Sequence, residues 1–151
     1  MSKMPSIQER ALGLVRDHEA RAVAMEPRFF LQRGHLTAPA PVWKYVEGAV
    51  KSGADLVMLD LEDSIPQGDD AALAAGRANG VRALTELDWG RSLRFFRPRG
   101  IALDPGFEDV RAVVTGAGAR LEGLVWPKAE GAAEIALLDE AFDATCAIYG
   151  L

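Results

Sequence analysis

The 151-residue sequence is poor in the residues and patterns that mark several common functional classes. Its single cysteine, Cys146, excludes an internal disulfide, and the apolar helical pattern around it predicts a buried thiol in a reducing compartment. With only His18 and His35 beside that cysteine, no zinc-binding spacing exists. No phosphate-binding loop, nucleophile elbow or dinucleotide fingerprint occurs anywhere. No apolar run approaches the roughly 20 residues of a membrane span, and no secretory apolar region follows the first five residues. A cytoplasmic chain without membrane contact is therefore expected. Positive charge is also scarce: 17 Lys and Arg stand against 22 Asp and Glu, a net charge of −5. That balance argues against nucleic acid as a partner, and any anionic ligand must be met by a local cluster of cations.

What remains is the composition of a folded protein, 49% hydrophobic and 26% charged with a mean hydropathy of +0.02. The length suits one domain but falls short of the roughly 250 residues of an ordinary TIM barrel. Residues 6 to 25 have helical periodicity through Ile7, Ala11, Leu14, Val15 and Ala22, which predicts an N-terminal helical extension over 1–27. From residue 28 onward a unit recurs four times: a short apolar run, a polar loop and an amphipathic helix.

The apolar runs are Leu36 to Ala38, Leu56 to Leu59, Leu93 to Phe96 and Leu124 to Trp126. The first helix carries Val42, Val46, Ala49 and Val50 and stops at Ser52-Gly53, where glycine suits a left-handed turn. The second is capped by Asp69 or Asp70 and carries Leu73, Arg77, Val81 and Leu84. Phe107, Val110, Val113 and Val114 mark the third, closed by Gly116. Ile135, Leu138, Phe142 and Cys146 mark the last. Strands separated by helices of this length predict a parallel α/β sheet, because parallel neighbours need a crossover.

In such folds ligands bind beyond the carboxyl ends of the strands, which directs attention to the residues just after each run. The second run ends in Asp60-Leu61-Glu62-Asp63. Alternation places Asp60 and Glu62 on one face, and Asp63 where the strand becomes loop. Clustered carboxylates need a cation, an arginine or water to relieve their repulsion. The third run ends in Arg97-Pro98-Arg99-Gly100, with Arg97 on the face of Leu93 and Phe95 and Arg94 on the other. A planar guanidinium there suits a substrate carboxylate or a thioester carbonyl. Lys128 follows the fourth run and suits an anionic group or, if desolvated, a Schiff base.

Taken in order, these strand ends resemble the HpcH/HpaI aldolase and citrate lyase family, which includes citrate lyase beta subunits and malyl-CoA lyases. The most specific segment is Gly53-Ala54-Asp55-Leu56-Val57-Met58-Leu59-Asp60-Leu61-Glu62-Asp63-Ser64-Ile65-Pro66. Arg33-Gly34-His35-Leu36-Thr37-Ala38-Pro39 is similar to the family's first strand, Ala78 to Leu84 to a family helix, and Gly123 to Glu130 to its fourth strand. The resemblance covers residues 33 to 140. It departs from the family at the third strand, where Phe95 holds the place of the expected arginine and Arg97 that of an asparagine.

The resemblance implies a TIM (β/α)8 barrel, here truncated to about four βα units over 28–151. The implied reaction is carbon–carbon cleavage of a carboxylated 2-hydroxy acid or its CoA thioester through a metal-stabilised enolate. Catalytic roles fall on Glu62, Asp63 and Arg97, and substrate binding on Arg33, Arg99 and Lys128. No metal ligand lies in this stretch, since the residues that would bind Mg²⁺ correspond to positions beyond residue 151. The expectation is a chain inactive alone that forms a homo-oligomer or joins a complementary barrel half. Two alternatives stand beside it: a non-catalytic binding or oligomerisation module built on half a barrel, and a receiver-like domain with Asp60 as phosphoacceptor, although the first strand lacks the acidic pair such domains use.

Overall fold

The computed structural model describes residues 32–100 and 105–149, without the side chains of residues 105, 142 and 144–149. The expected helix over 6–25, the extension over 1–27 and the packing of Cys146 lie outside those residues. The described residues divide into two units, one up to Pro127 and one from Lys128 onward.

The first unit alternates strand and helix: β1 (His35–Pro39), α1 (Trp43–Val50), β2 (Leu56–Asp60), α2 (Asp70–Glu86), β3 (Leu93–Arg97), α3 (Pro105–Ala117), a 3-10 turn at Gly118–Arg120, and β4 (Gly123–Leu124). The four strands form one parallel sheet in the order β1-β2-β3-β4. This is the expected α/β arrangement of successive βα units, consistent with part of a TIM-like fold. Every residue of β2 is buried, as an unbroken apolar run in a central parallel strand requires.

The two faces of the sheet differ in what covers them. Ala38, Val57, Leu59 and Phe96 point into one core with Val46 and Val50 of α1, Leu73 and Leu84 of α2, and Val113 of α3. Leu56, Met58 and Leu93 form a second cluster on the opposite face, with Phe95 and Val125 packed against it. The period of two along each strand separates the two sets. Gly76 and Gly116 let helix meet sheet and helix meet helix: a Cβ at Gly76 would collide with Leu61, and one at Gly116 would lie 2.7 Å from Val81.

Several boundaries depart from the sequence expectation. Val42 lies outside α1 as its extended N-cap and is 41% exposed, because the chain is still turning away from Pro39 there. Gly116 lies inside α3 and closes nothing; its role is the contact with Val81. β4 comprises only Gly123 and Leu124, since ladder pairing with β3 stops before Pro127, which carries no N–H. Asp69 does cap α2, accepting from Ala72 N at 2.9 Å, and Gly53 has the left-handed φ of 74°.

In the second unit, α4 (Ala132–Tyr149) begins after Glu130, whose N–H donates to Glu134 Oε2 at 2.8 Å. Ala136 and Leu138 are buried in α4, whereas Ile135, expected on the apolar side, is 40% exposed. Among the described residues no helix is long and apolar enough to cross a membrane.

Candidate functional site

The carboxyl ends of β2 and β3 bring together three of the six site residues expected from sequence. Asp60 and Arg97 are register partners on neighbouring strands, so their side chains emerge on the same face of the sheet. Arg97 Nε donates to Asp60 Oδ1 at 2.7 Å and Nη2 to Oδ2 at 3.0 Å, a fork-to-fork pair. Asp60 is 2% exposed. Its oxygens also accept from Glu62 N at 2.9 Å and Ser64 N at 3.2 Å, and Ser64 Oγ donates to its main-chain carbonyl at 2.8 Å. One buried carboxylate thus shapes the loop that presents Glu62 and Asp63.

Arg97 meets both of these acids as well. Nη2 lies 3.2 Å from Asp63 Oδ2, and Nη1 lies 3.6 Å from Glu62 Oε2. The Glu62 side chain is largely buried and that of Asp63 is exposed. Arg97 therefore reaches three acids. Burial pushes the Asp60 carboxyl up, but the hydrogen bonds from Arg97 and Glu62 N outweigh it and hold the group below the ordinary value of 3.8. The Arg97 guanidinium is raised correspondingly, chiefly by its hydrogen bond to Asp60.

Two of the other three expected residues, Arg99 and Arg33, lie elsewhere in the first unit. Arg99 is two positions beyond Arg97 but is bound by Asp109 of α3: its Nε donates to Oδ2 at 2.9 Å and its Nη2 to Oδ1 at 3.0 Å. Arg77 of α2 donates to the same Asp109 at 2.8 Å and to Glu108 at 3.1 Å. Arg33 lies at the opposite end of the strands, before β1, where it and Gly34 hold Asp55 just before β2. The hydrogen bond from Arg33 leads the effects that lower the Asp55 carboxyl below its ordinary value. Lys128 is exposed in the second unit and is the one non-glycine with positive φ, 55°, among the described residues.

Sequence reasoning assigned Asp60 a role only as phosphoacceptor in the receiver-like alternative, and Asp109 none. The signal for Asp60 was present, since strand alternation puts it on the face of Glu62. Asp109 stood in the apolar stripe of α3 between Phe107 and Val110, where a charged residue needs a partner. A cavity of about 300 Å³ opens beside Glu62, with Leu61, Ile65 and Leu73 on its apolar side and Arg99 at its edge.

The donor chemistry of this cluster does not fit the implied Mg²⁺. Asp60's oxygens already accept from Arg97 and two backbone N–H groups, and the nearest cation is a guanidinium. Among the described residues no group of three metal-ligating side chains occurs. The receiver reading meets the same geometry, with both oxygens of its phosphoacceptor already engaged.

No family model matches the chain. It is similar to proteins named L-malyl-CoA/beta-methylmalyl-CoA lyase. To that of Cereibacter sphaeroides it is 39% identical over 93 residues, 62% of this chain and 28% of the relative. To that of Rhodobacter capsulatus it is 30% identical over 109 residues, 72% of this chain and 33% of the relative. The chain therefore matches about a third or less of the length of these relatives. Any stretch of 93 residues in a chain of 151 includes residues 59–93, and with them Asp60, Glu62 and Asp63.

Proposed function

We propose that this chain carries the first four βα units of a carbon–carbon lyase of the HpcH/HpaI aldolase and citrate lyase family, acting on the CoA thioester of a small hydroxy acid. The observation that supports the reading is the position of Glu62 and Asp63: beyond the carboxyl end of β2, inside the stretch that resembles named malyl-CoA lyases.

Cleavage of such a substrate takes the proton from a hydroxyl, breaks the adjacent carbon–carbon bond to leave an aldehyde, and returns a proton to the thioester enolate. Glu62 and Asp63 are assigned to these proton transfers, the exposed Asp63 nearer solvent and the largely buried Glu62 nearer the sheet. Arg33 and Arg99 belong to the scaffold of this unit. The Mg²⁺ implied by the resemblance finds no site among the described residues, so each step is given to side chains of this chain.

The four strands among the described residues do not close a barrel, and β1 stands at one end of their order. Leu36, Val42 and Tyr45 are exposed around that edge at 37%, 41% and 57%. This supports association with a complementary barrel half or a second copy, and no activity from the chain alone.

The test is malyl-CoA cleavage, measured for the chain alone and mixed with the remaining segment of the Cereibacter sphaeroides relative. The expected result is no turnover alone and cleavage in the mixture that is lost in Glu62→Gln. Turnover by the chain alone overturns the incompleteness, and a stable but inactive mixture overturns the lyase assignment.

A further inference from the structure

The cavity of about 300 Å³ beside Glu62 lies between the β2–α2 loop and Arg99-Gly100, and Leu61, Ile65, Pro66 and Leu73 supply its apolar walls. Leu61 is fully buried and presses on α2 so closely that a Cβ at Gly76 would collide with it; Leu73, in α2 itself, is buried as well. Two walls are thereby fixed by the fold before any ligand arrives, which lowers the cost of binding there. Of the four charged groups on the lining, three are engaged elsewhere. Asp69 caps α2 by accepting from Ala72 N, Arg99 is clamped by Asp109 through Nε and Nη2, and Glu62 faces Arg97. The fourth, Asp70, stands in the first turn of α2, where its charge suits the helix dipole. An anionic group entering the cavity would meet a guanidinium already bound by a buried aspartate, whereas an aliphatic group gains by leaving water. The volume is about ten times the roughly 30 Å³ share of a liquid water molecule, room for a short aliphatic group and not for a whole cofactor.

We propose that this cavity is an apolar specificity pocket, which takes the aliphatic substituent on the carbon next to the thioester of an acyl-CoA. The proposal rests on the lyase reading, in which Glu62 takes part in the proton transfers of cleavage. Glu62 also lines the cavity, so a substituent on the carbon that receives the proton lies at its opening. Leu61 and Glu62 are adjacent in the chain and divide the work: the leucine forms the wall and the glutamate stands at the rim.

The test titrates the full chain with acetyl-CoA, propionyl-CoA and butyryl-CoA and follows its side-chain methyl resonances. Affinity is expected to rise about fourfold with each added methylene. The methyl resonances of Leu61, Ile65 and Leu73 are expected to move further with butyryl-CoA than with acetyl-CoA. Leu73→Phe fills the cavity from α2 and is expected to bind the three thioesters alike. Equal wild-type affinity across the series overturns the pocket and leaves the lyase reading in place, as does a gain that leaves those methyl groups unmoved. A gain that persists in folded Leu73→Phe overturns it too. Absence of binding by any of the thioesters overturns the lyase reading, and the pocket with it. The wild-type series decides the matter even if the variant fails to fold.

Discussion

Two buried aspartates of the same sheet-and-helix unit hold arginines in opposite ways. Asp109, fully buried in α3, accepts from both Arg99 and Arg77, and Arg77 also reaches Glu108. Asp60, at the end of β2, is held by Arg97, which also faces Glu62 and Asp63. In the first group two arginines from different elements meet on one acid and join α2, α3 and the β3–α3 loop. In the second one arginine reaches several acids at the strand ends. The first ties elements together, since breaking a buried pair is costly. The second lies where ligands bind in parallel sheets.

The largest effect is expected at Asp109. Asp109→Ala takes the shared, fully buried partner from two guanidiniums at once and should destabilise the chain by about 3 kcal/mol, read from urea unfolding. Asp60→Asn should cost less, about 1–2 kcal/mol, because the amide still accepts a backbone bond and the loss of one acid relieves the other two. A cost at Asp60 equal to or above that at Asp109 removes the contrast between the groups.

Acid sharpens the same comparison. Asp60's folded-state carboxyl lies below its ordinary value of 3.8, so its contribution is present above that value and is lost as pH falls through the folded-state value. Wild type and Asp60→Asn should therefore differ in unfolding free energy at neutral pH and converge in strong acid. The smallest effect is expected for Arg33→Ala. Its side chain is 75% exposed, and its contact with Asp55 is screened by solvent and salt, so the urea midpoint should barely move.

Much of the sheet was legible because β2 declares itself: four apolar residues followed by Asp60, bounded by Gly53 and by the cap at Asp69, are hard to place otherwise. The placement of Glu62 and Asp63 at a strand end followed from the same pattern. Other features depend on distances that sequence does not carry. Arg97 and Asp60 are 37 residues apart, and only the strand register makes them partners. Arg99 follows Pro98 out of the strand and turns to α3, so two arginines separated by one residue serve different groups. The length of β4 was misjudged because Val125 and Trp126 are as apolar as strand residues but have no register partner on β3, where the last bond is from Val125 N–H to Phe96 O at 2.9 Å. Arg33 looked like a site residue through motif likeness alone. Its position before β1 already put it at the amino end of the strands, far from where ligands bind in parallel sheets.

The place of chemistry is the carboxyl end of β2 and β3, and amide resonance mapping with a CoA thioester tests this most directly. Titrating the chain with malyl-CoA should perturb the backbone resonances of Glu62, Asp63 and Ser64, and Glu62→Gln should weaken the response. Perturbation centred instead on Asp109 and Arg99, or on Arg33 and Asp55, would contradict the account.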